Sequence, residues 1–393
     1  MTIAFLVCAA FAAAPAGSPP TAGIPFEITS NKPFVQVTLN GSAPQWFILD
    51  TGCAGGSVIA KECADRLGLT HGQDDAQHLG AGQGVAVGIS RAGSTLFGLG
   101  ADTLRAAEPR VFTLAHVSPY EGRRVDGLLG EDFLRRYVVR IDYEKRELRV
   151  QDPGNFVPDP KSIVVPITIL GGLAVADGSV KLRDGTTIPG HFIIDTGVRT
   201  TLILFHPFAV AHGLLDQPGN LLDATVGGGA GGETRGDIGR LAALSLGPST
   251  FDRPHAIYSR DTVGVFASPD LDGILGGELL RHGVVTFDYP HERILIDPYP
   301  NPAAFDYDMS GLFLVAQGDD FARIVAISVT KGTPASEAGM VAGDEIRAID
   351  GIRAPALSLE RAREMLRKPG AHRLELTRDG KSVQVTVKAR RLV

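Results

Sequence analysis

The sequence predicts a mostly β protein: two duplicated β lobes followed by a small α/β domain. Three observations predict it. Phe47-Ile48-Leu49-Asp50-Thr51-Gly52 returns as Phe192-Ile193-Ile194-Asp195-Thr196-Gly197. Among 393 residues, 48 Gly and 25 Pro punctuate many short apolar runs, and helix-forming runs are few, which favours strands. From about Asp308 the texture changes, with more charge and a different pattern of elements. The length fits two or three domains, each able to bury its own core.

The chain opens on an apolar, small-residue run, Ile3 to Ala14, and Ala14-Pro15-Ala16 fits a cleavage site. Residues 1–16 are therefore expected to be a signal peptide, although no Lys or Arg precedes the run. The mature chain is expected to be periplasmic or secreted. The run is too short to span a bilayer, so no integral membrane segment is expected in the mature protein. Cys8 would leave with the signal. Cys53 and Cys63 would remain, either bridged or as two buried thiols.

The first lobe is read over 22–152. Val35, Val37 and Leu39 alternate with polar residues, and Asn40-Gly41 offers a hairpin turn into Trp46–Leu49. Three large apolar residues then deliver Asp50 at the end of a buried strand, in the tight turn Asp-Thr-Gly. After Val58-Ile59 a short helix is expected, with Ile59, Cys63 and Leu67 on one face and Gly68 ending it. A glycine-rich segment, Gly80-Ala81-Gly82-Gln83-Gly84, lies between strand-like runs. The lobe closes with Val125-Asp126-Gly127-Leu128-Leu129-Gly130 and two further strands.

Pro153 to Pro160 is a linker, and the second lobe is read over 160–297. Gly227 to Gly232 is its glycine-rich segment. Over Val125–Tyr143 against Leu271–Tyr289 there are ten identities in nineteen positions. This is duplication of a whole domain, because solenoid repeats are much shorter. One Asp-Thr-Gly is weak evidence, with about 0.1 expected by chance in such a chain. Two, each at the same place in a duplicated lobe, are not chance. Pro298 to Pro302 is a second linker. The third domain is read over 308–393, with an amphipathic helix at Ser358–Leu366 and a hairpin about Asp379-Gly380.

Two lobes with one carboxylate each suggest a site on a pseudo-two-fold axis. Adjacent carboxyls cannot both ionise easily, so one holds a proton while the other stays charged. Such a pair can take a proton from water and give one to a carbonyl oxygen. It needs no cofactor and no metal, and none is expected here.

The two Asp-Thr-Gly turns, each followed by a distal apolar-apolar-Gly segment (Leu128-Leu129-Gly130, Ile274-Leu275-Gly276), resemble the aspartic endopeptidases. The local motifs resemble the retropepsin-like bacterial members, and the two lobes in one chain resemble pepsin. The resemblance covers about Ile24 to Asp297. It implies acid-protease-type lobes around a cleft, with Asp50 and Asp195 as the catalytic carboxylates. It also implies that Thr51 and Thr196 cross-brace the lobes and that the Gly52 and Gly197 N–H groups hold the carboxylates. Gly80, Ala81, Gly82, Gln83 and Gly84 would form a flap over a polypeptide substrate, and Gly227–Gly232 a second one. Two departures stand out. Cys53 and Val198 occupy positions where pepsin-like enzymes carry Ser or Thr, and neither glycine-rich segment has a tyrosine. With fewer donors to the charged form, a weakly acidic to neutral optimum is expected.

Gly311-Leu312-Phe313, then Gly332-Thr333-Pro334-Ala335-Ser336-Glu337-Ala338-Gly339 and Gly343-Asp344-Glu345-Ile346, is similar to bacterial PDZ domains. That resemblance implies a groove for peptide C-termini, with the carboxylate held by the Gly311, Leu312 and Phe313 loop. Other chemistries find little support. A net charge of −6 without a basic block argues against nucleic acid. Gly227-x-Gly229-x-x-Gly232 lacks the βαβ context of a dinucleotide site. No His-Glu-x-x-His or Gly-x-Ser-x-Gly occurs. Asp126 and Asp272 read as turn or network residues. The reading is an aspartic endopeptidase whose PDZ domain recruits or positions substrates; the alternative is an inactive peptide-binding protein.

Overall fold

The computed structural model describes residues 23–73, 76–79, 86–106, 108–229 and 232–393. Residues 1–16 and the glycine-rich segment 80–84 lie outside them. The chain is mostly β, in two acid-protease-type lobes and a smaller PDZ-type sheet.

In the first lobe, strand Lys32–Leu39 turns through Asn40 (φ 51°) and Gly41 (φ 79°) into strand Gln45–Leu49. Val35, Val37 and Leu39 face inward and Gln36 faces out, as the alternation requires. Strand Gly127–Leu129 then runs parallel to Gln45–Leu49, with Gly127 opposite Phe47 and Leu129 opposite Leu49. The second lobe repeats this: Gly273 opposes Phe192 and Leu275 opposes Ile194. The glycines are required. A Cβ at Gly127 would overlap the Phe47 ring and the Val58 carbonyl, and one at Gly273 would overlap the Ile203 carbonyl. Asp126 and Asp272 tie the same strands, accepting from the N–H of Trp46 (2.9 Å) and His191 (2.7 Å).

One local difference separates the structure from the sequence reading. Ile59 belongs to strand Val58–Ala60, parallel to Arg110–Phe112, and the helix begins at Lys61. A sheet on both sides of Val58-Ile59 outweighs helical periodicity there. The helix ends at Gly68 in the left-handed conformation, φ 65°. Cys53 and Cys63 are both free and buried. Burial pushes the Cys63 thiol up to about 12.

The lobes share a six-stranded sheet. Strand Val138–Asp142 pairs antiparallel with Gly283–Asp288, Ile141 opposite Val285. The third unit has a sheet in the order Leu312–Gln317, Arg323–Val329, Glu345–Ile349, Gly370–Arg378, Lys381–Ala389. Helix Leu359–Leu366 packs on it, its first turn capped by the Ser358 hydroxyl, which accepts from the Arg361 N–H (3.1 Å). Strand Leu312–Gln317 is an edge strand. No helix among the described residues is long and apolar enough to cross a membrane.

Candidate active site

Asp50 and Asp195 are delivered by matched strand ends. The Asp50 N–H donates to the Leu129 carbonyl (3.0 Å) and the Asp195 N–H to the Leu275 carbonyl (2.9 Å). Each turn then folds back on its own carboxylate. Gly52 N–H reaches Asp50 Oδ1 at 2.9 Å, and Gly197 N–H reaches Asp195 Oδ1 at 2.6 Å. A Cβ at Gly52 would overlap the Asp195 carboxyl, and one at Gly197 the Asp50 carboxyl. The turns must therefore be glycine for the two acids to meet.

The threonines bind the lobes together. Thr51 N–H donates to Thr196 Oγ1 (3.1 Å) and Thr196 N–H to Thr51 Oγ1 (2.9 Å). Their hydroxyls donate across the interface to the Ile194 (2.7 Å) and Leu49 (2.6 Å) carbonyls. Every bond is buried, so losing one partner leaves a desolvated polar group.

The two carboxyls lie within hydrogen-bond reach of each other, each packed against the other turn's glycine. Burial raises both above the ordinary carboxylate range, and the Asp50 charge raises Asp195 further. The pair titrates as a unit. The pair can hold one proton and one charge between them, and so act as base and acid at one point. No hydroxyl occupies the next position. Cys53 Sγ points to the Gly56 carbonyl (3.4 Å), and Val198 offers nothing.

Lys32 was not singled out from the sequence. Its cation lowers both acids, partly opposing burial. It is held by a buried ion pair, Nζ to Glu121 Oε1 at 2.7 Å. Lys32 sits two residues before Phe34, opposite Ile48, and Leu173 two before Val175, opposite Ile193. The duplicated lobe thus carries leucine where the first carries the cation. A lysine opening a strand of alternating apolar residues was the available signal.

The acids open into a cleft of about 360 Å³. Leu128, Ile193, Phe266 and Ile274 make it apolar, and Val226, Gly227 and Gly228 of the hairpin Leu221–Gly229/Gly232–Arg240 also line it. Gly228 lies against the Tyr120 ring. Tyr120, on the helical turn Ser118–Glu121, is an aromatic at the cleft that comes from neither glycine-rich segment. The first-lobe flap residues Gly80 to Gly84 are outside the described residues. A larger cavity of about 730 Å³, lined by Phe251, His282 and Phe305, contains neither Asp-Thr-Gly turn.

Gly311, Leu312 and Phe313 are not at a free groove. Asp308 Oδ2 accepts from the N–H of Ser310 (3.0 Å) and Gly311 (2.5 Å), and Leu312 N–H donates to Ser310 Oγ (3.1 Å). The chain's own carboxylate thus holds amides of that loop. The space between strand Leu312–Gln317 and helix Leu359–Leu366 receives the Ser118–Glu121 turn. Phe313 meets Tyr120 at 6.1 Å between ring centres. Arg363 donates to the Tyr120 carbonyl (2.8 Å), the Leu314 carbonyl (3.0 Å) and Ser30 Oγ (2.8 Å). Phe313 and Arg363 therefore line the same cleft as Asp50 and Asp195.

Family models match both the duplicated lobes and the third domain. The family model described as "Aspartyl protease" matches residues 35–133 and 178–279, and that described as "PDZ domain" matches 325–377. The second match begins after the Gly311-Leu312-Phe313 loop. The UBA domain-containing protein Mud1 of Schizosaccharomyces pombe (strain 972 / ATCC 24843) is 35% identical over 117 residues, 30% of this chain. The match spans 32% of that relative's length. The aspartic proteinase from Irpex lacteus aligns with a TM-score of 0.43 at 13% identity, covering 72% of this chain and 99% of that one.

Proposed function

The chain belongs to the aspartyl protease family, and from that premise we propose that it is an aspartic endopeptidase acting through Asp50 and Asp195. The observation that carries the reading is the meeting of two carboxyls on matched turns, each held by its own glycine N–H and packed against the other turn's glycine. Ionised Asp50 takes a proton from water as its oxygen attacks the peptide carbonyl carbon. Asp195 gives its proton to the carbonyl oxygen, leaving a neutral tetrahedral diol. On collapse the C–N bond breaks, Asp50 returns its proton to the leaving nitrogen, and Asp195 recovers one from a diol hydroxyl. Thr51, Gly52, Thr196 and Gly197 hold the geometry.

Burial of the pair keeps its proton to higher pH than a solvated carboxyl would. That supports a weakly acidic to near-neutral optimum. The lobes are taken as 22–152 and 160–297 and the PDZ domain as 308–393. Of recruiting and positioning substrates, positioning suits the PDZ domain better, because Phe313 and Arg363 line the cleft. Export rests on residues 1–16 and is tested by the N-terminus of protein recovered from a secreting host.

The test is cleavage of an unstructured protein by the purified chain across a pH series, beside Asp50→Asn and Asp195→Asn. Each single variant is expected to lose hydrolysis while keeping its circular dichroism spectrum. Near wild-type activity in either would sink the shared-site reading. So would an optimum near pH 2 for the pH argument.

A further inference from the structure

Four cations line the cleft beside the acid pair: Lys32, Arg110, Arg199 and Arg363. Three are committed. Lys32 is paired with Glu121. Arg110 uses one terminal nitrogen on the Ala54 and Gly56 carbonyls, both at 2.6 Å. Arg363 holds two carbonyls and a hydroxyl. Arg199 differs. Its backbone carbonyl accepts from Asn31 (2.7 Å), but its guanidinium has no acid or hydrogen-bond partner among the described residues. It is half-buried, four residues beyond Asp195. Its charge sits 5.8 Å from the centre of the Phe313 ring, a cation–π distance.

A half-buried guanidinium without a counter-ion is costly unless a ligand supplies one. Its planar donors match a carboxylate. Arg363 lies close enough to repel it. Phe313 arrives from the PDZ domain, whose nearby loop amides already hold Asp308.

We propose that Arg199, seated on Phe313, is a specificity residue that receives a carboxylate of the substrate, so that the PDZ domain completes a protease subsite. The carboxylate is an acidic side chain or a peptide's C-terminal carboxylate. This rests on the protease reading for its place in a reaction but not for its test.

The test uses the full chain carrying Asp50→Asn and labelled short peptides in which Glu replaces Gln at one position at a time, ends capped. A Gln peptide with a free C-terminus forms the second arm. Anisotropy at neutral pH should show about tenfold tighter binding for a Glu at one position, or for the free carboxylate, as one charge-assisted contact gives. The arm that responds identifies the source. Arg199→Gln should level the preference, Arg199→Lys should retain part of it, and Phe313→Ala should reduce it. With wild-type enzyme the same ratio should appear in kcat/KM. No carboxylate preference at any position, or a preference unchanged in Arg199→Gln, would overturn the proposal. Hydrolysis without charge preference would sink it alone. Charge-selective binding without hydrolysis would sink the protease reading and leave this one standing.

Discussion

Asp195 is buried and next to a like charge, and both raise its pKa. The consequence for stability has a definite sign. A carboxyl raised in the folded state binds its proton there when the unfolded chain has already lost it. Stability therefore falls as pH rises from the ordinary carboxylate range through the raised values. Asp195→Asn removes that cost. It is expected to unfold at a higher denaturant concentration than wild type at pH 7, and the gap should narrow toward pH 4. A variant less stable than wild type at pH 7 would contradict the burial argument. Lys32 acts in the other direction by favouring the charged pair. Replacing it alone would strand the Glu121 carboxylate, a loss of about 3–5 kcal/mol. The double variant Lys32→Met/Glu121→Gln avoids that. Its acidic limb of activity should move to higher pH, since the dyad's proton is then harder to remove. An unmoved limb would remove Lys32 from the electrostatics of the site.

Strand pairs and turns were legible because their chemistry is local. Asn40-Gly41 and Asp379-Gly380 occupy left-handed conformations that the dipeptides advertise. The Asp-Gly-x-Leu-Gly segments announced a repeat but not its purpose. That purpose is close passage: Gly130 cannot take a Cβ without overlapping the Cys53 carbonyl, nor Gly276 without overlapping that of Thr200. These glycines let one strand pass close beside each Asp-Thr-Gly turn. Gly127→Ala is expected to cost about 1–3 kcal/mol, as overpacking does, because one of the atoms in its way is backbone that cannot rotate aside. Urea unfolding would check this, and a neutral result would mean that strand Gly127–Leu129 can shift.

Docking of the third domain alters what its deletion would do. A tethered receptor for chain ends could be removed without harm to short-peptide cleavage. A domain whose Phe313 and Arg363 line the cleft could not. Deleting 308–393 is therefore expected to lower kcat/KM on short peptides as well as long ones. Arg363→Met is the gentler probe. It leaves the Tyr120 and Leu314 carbonyls and Ser30 Oγ without their buried donor. Faster proteolytic nicking between the second lobe and the PDZ domain, with reduced short-peptide turnover, is the expected result. Unchanged turnover on short peptides in both variants would return the domain to a recruiting role.

By itself the sequence determined the β architecture, the duplication and the two acid turns, because each is written in contiguous residues with a period or a turn signature. It also carried both family resemblances. What only the tertiary structure decided are contacts between segments far apart in the chain. Lys32 joins Glu121 beside the dyad, and Tyr120 supplies an aromatic at the cleft. Phe313 enters the cleft from another domain, and Asp308 fills the loop that a foreign carboxylate was expected to reach. Strand periodicity says which face of each element is buried. It does not say which distant element covers that face, and the partner of each of these four residues follows from that packing.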